Sequence, residues 1–124
     1  MSARQTVLVV KDQVFIRMAA LDIVDQAGFD AVEADGADRA IAILETRQHI
    51  HLVFTDVDMP GSMDGNKLAH YIRERWPSIM LIVVSGKTII AGSDLPAGAK
   101  FFSKPYSDDA IAEAMVKMLA PAVG

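Results

Sequence analysis

Residues 52–60 read LVFTDVDMP, an apolar run that ends in an acidic turn. The first four residues have the apolar, β-branched and aromatic character of a buried strand, and the proline followed by Gly61 marks a loop. Asp56 therefore stands where the strand ends and the loop begins. Open α/β sheets bind their ligands at the carboxyl ends of the strands. A carboxylate held there can act as a nucleophile or as a metal ligand.

Short strand-like runs alternate with stretches of helical periodicity along the whole chain. This alternation predicts an α/β fold in which one doubly wound, five-stranded parallel sheet carries helices on both faces. Gly28 is predicted to end the first helix and Ser107 to cap the last. Glycines and a proline interrupt segment 88–99, so the fourth helix is predicted to be short or irregular. The predicted strands are 7–10, 31–34, 52–55, 81–84 and 101–103, and the predicted regular helices are 15–27, 37–45, 68–76 and 109–119.

Composition excludes several classes of function. The 124 residues are 52% hydrophobic and carry a formal net charge of -4, which predicts one domain over 1–124, without an output domain and without direct nucleic-acid binding. The absence of cysteine excludes thiol chemistry, disulfides and thiolate zinc sites. The polar N-terminus and the short first apolar run predict neither a signal peptide nor a membrane span, so a cytoplasmic protein is expected.

Side chains that could take part in chemistry follow four of the predicted strands, and they should converge at one edge of the sheet. They are Lys11 and Asp12, Asp56, Ser85, and Lys104. The two carboxylates, with carbonyls and waters, suit Mg²⁺. The lysine at 104 and the hydroxyl at 85 could hold oxygens of a phosphoryl group, which the aspartate at 56 would receive.

Four motifs carry a resemblance to a known family: VLVVKD at 7–12, DVDMP at 56–60, VSG at 84–86 and KPY at 104–106. In this order the chain resembles, over essentially its whole length, a receiver domain of a bacterial two-component response regulator. The resemblance implies a flavodoxin-like sheet with strand order 2-1-3-4-5. It also implies that Asp56 accepts a phosphoryl group from a sensor histidine kinase or a histidine phosphotransfer protein.

The resemblance extends to the remaining site residues. It implies Mg²⁺ bound by Asp12, Asp56 and the backbone carbonyl of Asp58, with Lys104 paired to the phosphoryl group. Ser85 and Phe101 would be the switch residues. The receiver would catalyse only its own phosphorylation and slow dephosphorylation, and it would signal by contact with a downstream protein, as a monomer or a weak homodimer.

The peptide bond between Lys104 and Pro105 is usually cis in the resembled family, and we expect the same here.

Lys11 departs from the resembled family, which has an acidic residue at this position. Two unit charges 4 Å apart interact by about 4 kcal/mol at an effective dielectric constant of ~20, and more when one charge is double. We therefore expect weakened Mg²⁺ binding, although a lysine can turn into solvent. In a stronger form of this hypothesis, Lys11 pairs with Asp56, mimics the charge of the metal and leaves a pseudo-receiver that does not depend on phosphorylation.

A second alternative comes from the enzyme class. The segment from Leu52 to Asp58 also resembles the nucleophile motif of haloacid-dehalogenase-like phosphatases, in which the second aspartate is a general acid and base. In that family the nucleophile lies near the start of the catalytic core, whereas Asp56 is on the third predicted strand. The receiver interpretation is therefore preferred.

Overall fold

The computed structural model describes residues 4–46, 49–61, 63–86 and 92–120. These ranges contain five strands, four α-helices and one short 3₁₀ helix. All predicted strands and regular helices are present, most of them with ends displaced by one or two residues. The strands are β1 (Thr6–Val10), β2 (Asp30–Ala34), β3 (Leu52–Asp56), β4 (Met80–Ser85) and β5 (Lys100–Ser103), and the helices are α1 (Val14–Gln26), α2 (Ala37–Thr46), α3 (Gly65–Arg75) and α4 (Asp108–Leu119).

The strands form one parallel sheet in the order β2-β1-β3-β4-β5. Every residue of β1 and β3 is buried, and so are the last five residues of β4. The outer strands β2 and β5 are partly exposed. This arrangement confirms the predicted fold class, because central strands of a parallel sheet are covered on both faces and read as continuous apolar runs.

Alternation along the strands divides the core into two layers. In β1, Val7 and Val9 belong to one buried cluster, which also holds Ile23 of α1 and Ile111 of α4. The neighbours of these valines on β1 face the other cluster, together with residues of α2 and α3 such as Leu68. The helices therefore lie in pairs on opposite faces of the sheet, and its carboxyl edge remains available for a site.

The helix ends confirm two predicted end signals and correct one predicted helix start. Gly28 has a positive φ of 98° just after α1, and Ser107 accepts a hydrogen bond from the backbone N–H of Ala110 at 3.0 Å, as predicted. The predicted start of α3 at residue 68 is wrong, since the helix begins at Gly65. Asp64 caps it by accepting from the Lys67 N–H at 2.9 Å, a signal hidden because no apolar residue occupies its first turn.

The predicted irregular segment 88–99 is described only from residue 92, and residues 87–91 lie outside the described ranges. Its described part contains a single 3₁₀ turn, Gly92–Asp94. The backbone carbonyl of Asp94 accepts a hydrogen bond from Asn66 Nδ2 at 3.0 Å and lies 2.7 Å from His70 Nε2. Side chains of α3 therefore anchor this turn, and the expectation of a short or irregular element is met where it can be seen.

Gly65 brings the first turn of α3 against the end of β3. Its N–H donates to the carbonyl of Val57 at 3.0 Å, and a Cβ added at this position would overlap the carbonyl oxygen of Asp56. Only a residue without a side chain permits this approach. The backbone around Asp56 is thus held by the helix that follows it.

We predict that Gly65→Ala will destabilise the protein by about 3 kcal/mol, because the new methyl group meets rigid backbone rather than a mobile side chain. Urea unfolding followed by circular dichroism measures this change. Gly36→Ala is the matched control, since a Cβ there meets nothing within 4 Å, and it should cost no more than about 1 kcal/mol. Equal effects of the two substitutions would contradict the steric explanation.

Candidate functional site

The pairing register brings the candidate site residues to one edge of the sheet. Val10 of β1 pairs with Thr55 of β3, so the next residues along these strands, Lys11 and Asp56, are neighbours. Backbone hydrogen bonds continue past the strand ends, from Val57 N to Val84 O and from Lys104 N to Ser85 O, both at 2.9 Å. The convergence predicted from strand ends alone is therefore present, with Lys104 two strands away from Asp56 in the sheet order.

The centre of the site is a carboxylate between two ammonium groups. Lys11 Nζ lies 2.9 Å from Asp56 Oδ1, and Lys104 Nζ lies 3.2 Å from the same oxygen. The Lys11 side chain is fully buried and that of Asp56 is 7% exposed, whereas that of Lys104 is 33% exposed. One cation therefore contacts Asp56 from inside the protein and the other from the mouth of the site.

Aromatic rings line the inner side of this ion pair. Lys11 Nζ lies over the ring of Phe54, 4.4 Å from its centroid, in a cation–π contact. Tyr106 packs edge-on against Phe54, with centroids 6.3 Å apart. The buried ammonium thus has a carboxylate and an aromatic face as its neighbours.

Burial and charge oppose each other at Lys11. Burial lowers the pKa of Lys11 below its ordinary value, while the charge and hydrogen bond of Asp56 oppose that shift. The Lys104 ammonium also lowers the pKa, and the Asp12 carboxylate raises it. The backbone carbonyl of Lys11 accepts a hydrogen bond from Arg17 Nη1 at 2.9 Å, which fixes the turn that carries this residue.

The hydroxyl of Ser85 is directed toward Asp58. It donates to Asp58 Oδ2 at 2.7 Å, and Ser85 is buried whereas Asp58 is exposed. The carboxylate of Asp58 therefore has a contact of its own, whereas the sequence predicted a role only for the backbone carbonyl of this residue. The spacing of two residues from Asp56 could have indicated it.

The other predicted residues occupy the same region. Asp12 is half-buried beside Lys11, and Phe101 is half-buried, packs against the cluster that contains Leu68 and pairs with Val83 of β4. The Lys104–Pro105 peptide bond is cis, as predicted.

The expected Mg²⁺ site can be tested against these contacts. Asp56 Oδ1 already lies against two ammonium groups, and Lys11 is not turned into solvent, contrary to the option left open by its flexibility. Within the described ranges, no group of three or more His, Cys, Asp or Glu side chains is arranged to hold a metal ion. In this arrangement the residues do not fit a divalent cation at Asp56, whereas the proposed pairing of Lys11 with Asp56 is present.

Comparison with known proteins decides the family. The sequence model described as "Response regulator receiver domain" matches residues 7–116. The chain belongs to the response regulator receiver family. The resemblance to phosphatases is therefore confined to the motif around Asp56, and receivers are signalling proteins rather than typical enzymes.

Several relatives show how far the similarity extends. The receiver is 33% identical to the chemotaxis protein CheY of Bacillus subtilis, covering 91% of this chain and 96% of that protein. It is 35% identical to the sensor kinase CckA of Brucella abortus over 96% of this chain, but it spans only 13% of that kinase. A response regulator receiver protein from Pseudomonas putida superposes with a TM-score of 0.82 at 34% identity, over 94% of this chain and 99% of that one.

Family membership supplies the general chemistry of the site. Receiver domains generally bind Mg²⁺ at the phosphorylation site and interact with histidine kinases or phosphotransfer proteins and with downstream targets. In this receiver, the buried ammonium of Lys11 contacts the carboxylate of Asp56. Among the helices described, none is long and apolar enough to cross a membrane.

We predict that Asp56→Asn will destabilise the receiver by about 3 kcal/mol, because it leaves the buried Lys11 without its counter-charge. In a site made only of carboxylates, the same substitution would relieve repulsion and stabilise the fold. The double variant Lys11→Met with Asp56→Asn should lose free energy of unfolding too, but about 1–3 kcal/mol less than the two single variants lose in total. Urea unfolding of all four proteins measures this coupling.

The exposed pair of Lys117 and Glu113, 2.8 Å apart on α4, provides the control cycle. Its substitution by Met and Gln should show no measurable coupling, because solvent screens exposed charges. A stabilising Asp56→Asn, or equal coupling in the two cycles, would disprove the assignment of a stabilising buried pair.

We predict that the hydroxyl of Tyr106 stays protonated well above the ordinary range. Burial, followed by the negative charges of Asp56 and Asp108, raises the pKa of Tyr106 from 10.0 to about 12. Since the folded pKa is the higher one, its contribution to stability is present below pH 10.0 and is lost as the pH rises toward about 12. Ultraviolet titration of a Tyr71→Phe variant should show ionisation near 12 when folded and near 10 in urea; the same midpoint in both would contradict it.

Proposed function

We propose that this receiver accepts a phosphoryl group on Asp56 from the phosphohistidine of a sensor histidine kinase or histidine phosphotransfer protein, and signals by contact with a downstream protein. The observation that carries this proposal is the position of the Asp56 carboxylate at the end of β3, with Lys104 Nζ 3.2 Å away at the mouth of the site. A fixed nucleophile beside an accessible cation is the arrangement that phosphoryl transfer requires.

The transfer step can be written with the residues of this chain. An oxygen of Asp56 attacks the phosphorus atom, the P–N bond of the phosphohistidine breaks, and the imidazole keeps the electron pair. Lys104 stabilises negative charge on the phosphoryl oxygens. Its alkyl chain lies over Gly86, where an added Cβ would come within 3.4 Å of it, so the ammonium is guided toward the incoming group.

Ser85 and Phe101 are the proposed readout. The hydroxyl of Ser85 would exchange its acceptor, leaving Asp58 Oδ2 at 2.7 Å for an oxygen of the new phosphoryl group. Phe101 lies one strand away and is half-buried, so its ring borders both the core and the solvent. Movement at the ends of β4 and β5 would then change the surface that a partner protein contacts.

The contacts of Asp56 differ from those expected of a Mg²⁺ ligand. Asp12, Asp56 and the backbone carbonyl of Asp58 were expected to bind the metal, but Lys11 Nζ lies 2.9 Å from Asp56 Oδ1.

The same ion pair favours a second candidate function. If the bond between Lys11 and Asp56 is too stable for the carboxylate to react, the protein is a pseudo-receiver that binds its partner without phosphorylation. Both candidates place the signal in a protein contact, and the formal charge of -4 supports a protein partner rather than a nucleic acid. For either candidate we propose a cytoplasmic location and a monomer or weak homodimer.

We predict that acetyl phosphate will add one phosphoryl group to the wild-type protein and none to Asp56→Asn, as measured by intact mass. Borohydride converts a phosphorylated aspartate to homoserine, so peptide mass spectrometry should then locate the change at position 56. Asp22→Asn is the matched control, because it removes an exposed acid from α1 and should leave labelling unchanged.

The outcome separates the two candidates. Labelling that disappears in Asp56→Asn but persists in Asp22→Asn supports the phosphorylated receiver. No labelling of folded wild type, with another receiver labelled in parallel, would reject it in favour of the pseudo-receiver. Labelling that maps to a different residue would overturn the assignment of Asp56.

A further inference from the structure

The buried ammonium of Lys11 has a use that goes beyond a paired charge. We propose that Lys11 is a built-in counter-cation that replaces the divalent metal ion of this site, so that Asp56 is phosphorylated without one. This inference rests on the proposed function, because it assigns the source of positive charge for the same transfer. It makes Lys11 a catalytic residue in contact with the reacting carboxylate.

Lys11 is held in place by its surroundings. Its side chain is fully buried, with Nζ 2.9 Å from Asp56 Oδ1 and 4.4 Å from the centroid of Phe54. Its backbone is fixed on both sides, since its N–H donates to Ala34 O at 3.1 Å and its carbonyl accepts from Arg17 at 2.9 Å. An ammonium enclosed in this way cannot leave its place by a simple side-chain rotation.

A divalent cation would compete with Lys11 and Lys104 for the carboxylate of Asp56. Lys11 and Lys104 both contact Asp56 Oδ1. Both are positive, so a divalent cation bound to either oxygen of this carboxylate would meet repulsion at short range. Mg²⁺ also requires near-ideal octahedral geometry and keeps several waters.

Two ammonium groups are suited to the chemistry of phosphoryl transfer. Lys11 lies on the inner side of Asp56 and Lys104 on the outer side, so a phosphoryl group on this carboxylate would have a cation on each side. With acetyl phosphate, an oxygen of Asp56 attacks phosphorus, the bond from phosphorus to the acyl oxygen breaks, and acetate leaves with the electron pair. The group gained is more negative than the carboxylate, which strengthens its attraction to both lysines.

The first test is a Mg²⁺ titration followed by the amide NMR shifts of residues 11–12 and 56–58. Wild type should show no saturable shifts at millimolar Mg²⁺, whereas Lys11→Glu should show saturable binding because an acid replaces the buried cation. Lys100→Glu is the matched control, since it makes the same change of charge at an exposed position at the start of β5. It should behave like wild type.

The second test compares labelling by acetyl phosphate in Mg²⁺ and in EDTA. The two rates should agree within about twofold for wild type, whereas Lys11→Glu should be labelled at least about tenfold faster with Mg²⁺. Lys11→Met, which removes the cation and adds no acid, should be labelled about 100-fold more slowly than wild type in EDTA. Thermal melts establish which variants are folded.

The outcomes distinguish this inference from the proposed function. Saturable Mg²⁺ binding by wild type, or labelling of wild type only in Mg²⁺, would contradict the proposal that Lys11 replaces the metal ion. Asp56 would still be the phosphoryl acceptor. No labelling in either condition would reject the proposed function together with this mechanism. If Lys11→Glu does not fold, the wild-type titration and the ratio of wild-type rates still decide, because neither needs a variant.

Discussion

The buried ammonium of Lys11 and the nearly buried carboxylate of Asp56 constrain the rest of the structure, because each charge depends on the other for compensation. An unpaired charge in this environment costs several kcal/mol, and a pair is tolerated only with good geometry. That geometry comes from the register of β1 and β3, in which Val10 pairs with Thr55. A slip of one residue would invert the faces of the strand and separate the charges. The ion pair and the pairing of the two central strands are therefore mutually dependent.

The neighbouring elements position this ion pair. The carbonyl of Asp56 lies under the first turn of α3, where Gly65 leaves room for it. Phe54, two residues before Asp56, places its ring beneath the ammonium, and Tyr106 packs against that ring with centroids 6.3 Å apart. Lys104 then approaches from the outside along the extension of β5. Residues distant in sequence thus meet around the carboxylate of Asp56, because parallel strands end together at one edge of the sheet.

Much of this could be predicted from the sequence. Alternating apolar runs and helical stretches indicated five strands, and the side chains after them indicated where the site would lie. The start of α3 was missed because Gly65 and Asn66 carry no hydrophobic periodicity, although Asp64 was available as a capping signal. The metal site was inferred from residue types and family resemblance, and it required the Lys11 side chain to turn into solvent. No pattern along the chain records whether a lysine at a strand end turns outward or inward.

The sequence by itself determined the fold class, the family motifs and the set of residues at the carboxyl edge, because these depend on local periodicity and on the order of the strands. Only the tertiary structure decided how those residues pair. Lys11 turns inward to Asp56, and the hydroxyl of Ser85 donates a hydrogen bond to Asp58. The physical reason is that a side chain's partner depends on burial and on atoms brought together from other strands. A buried charge must be paired with an opposite charge, whatever role its position has in related proteins.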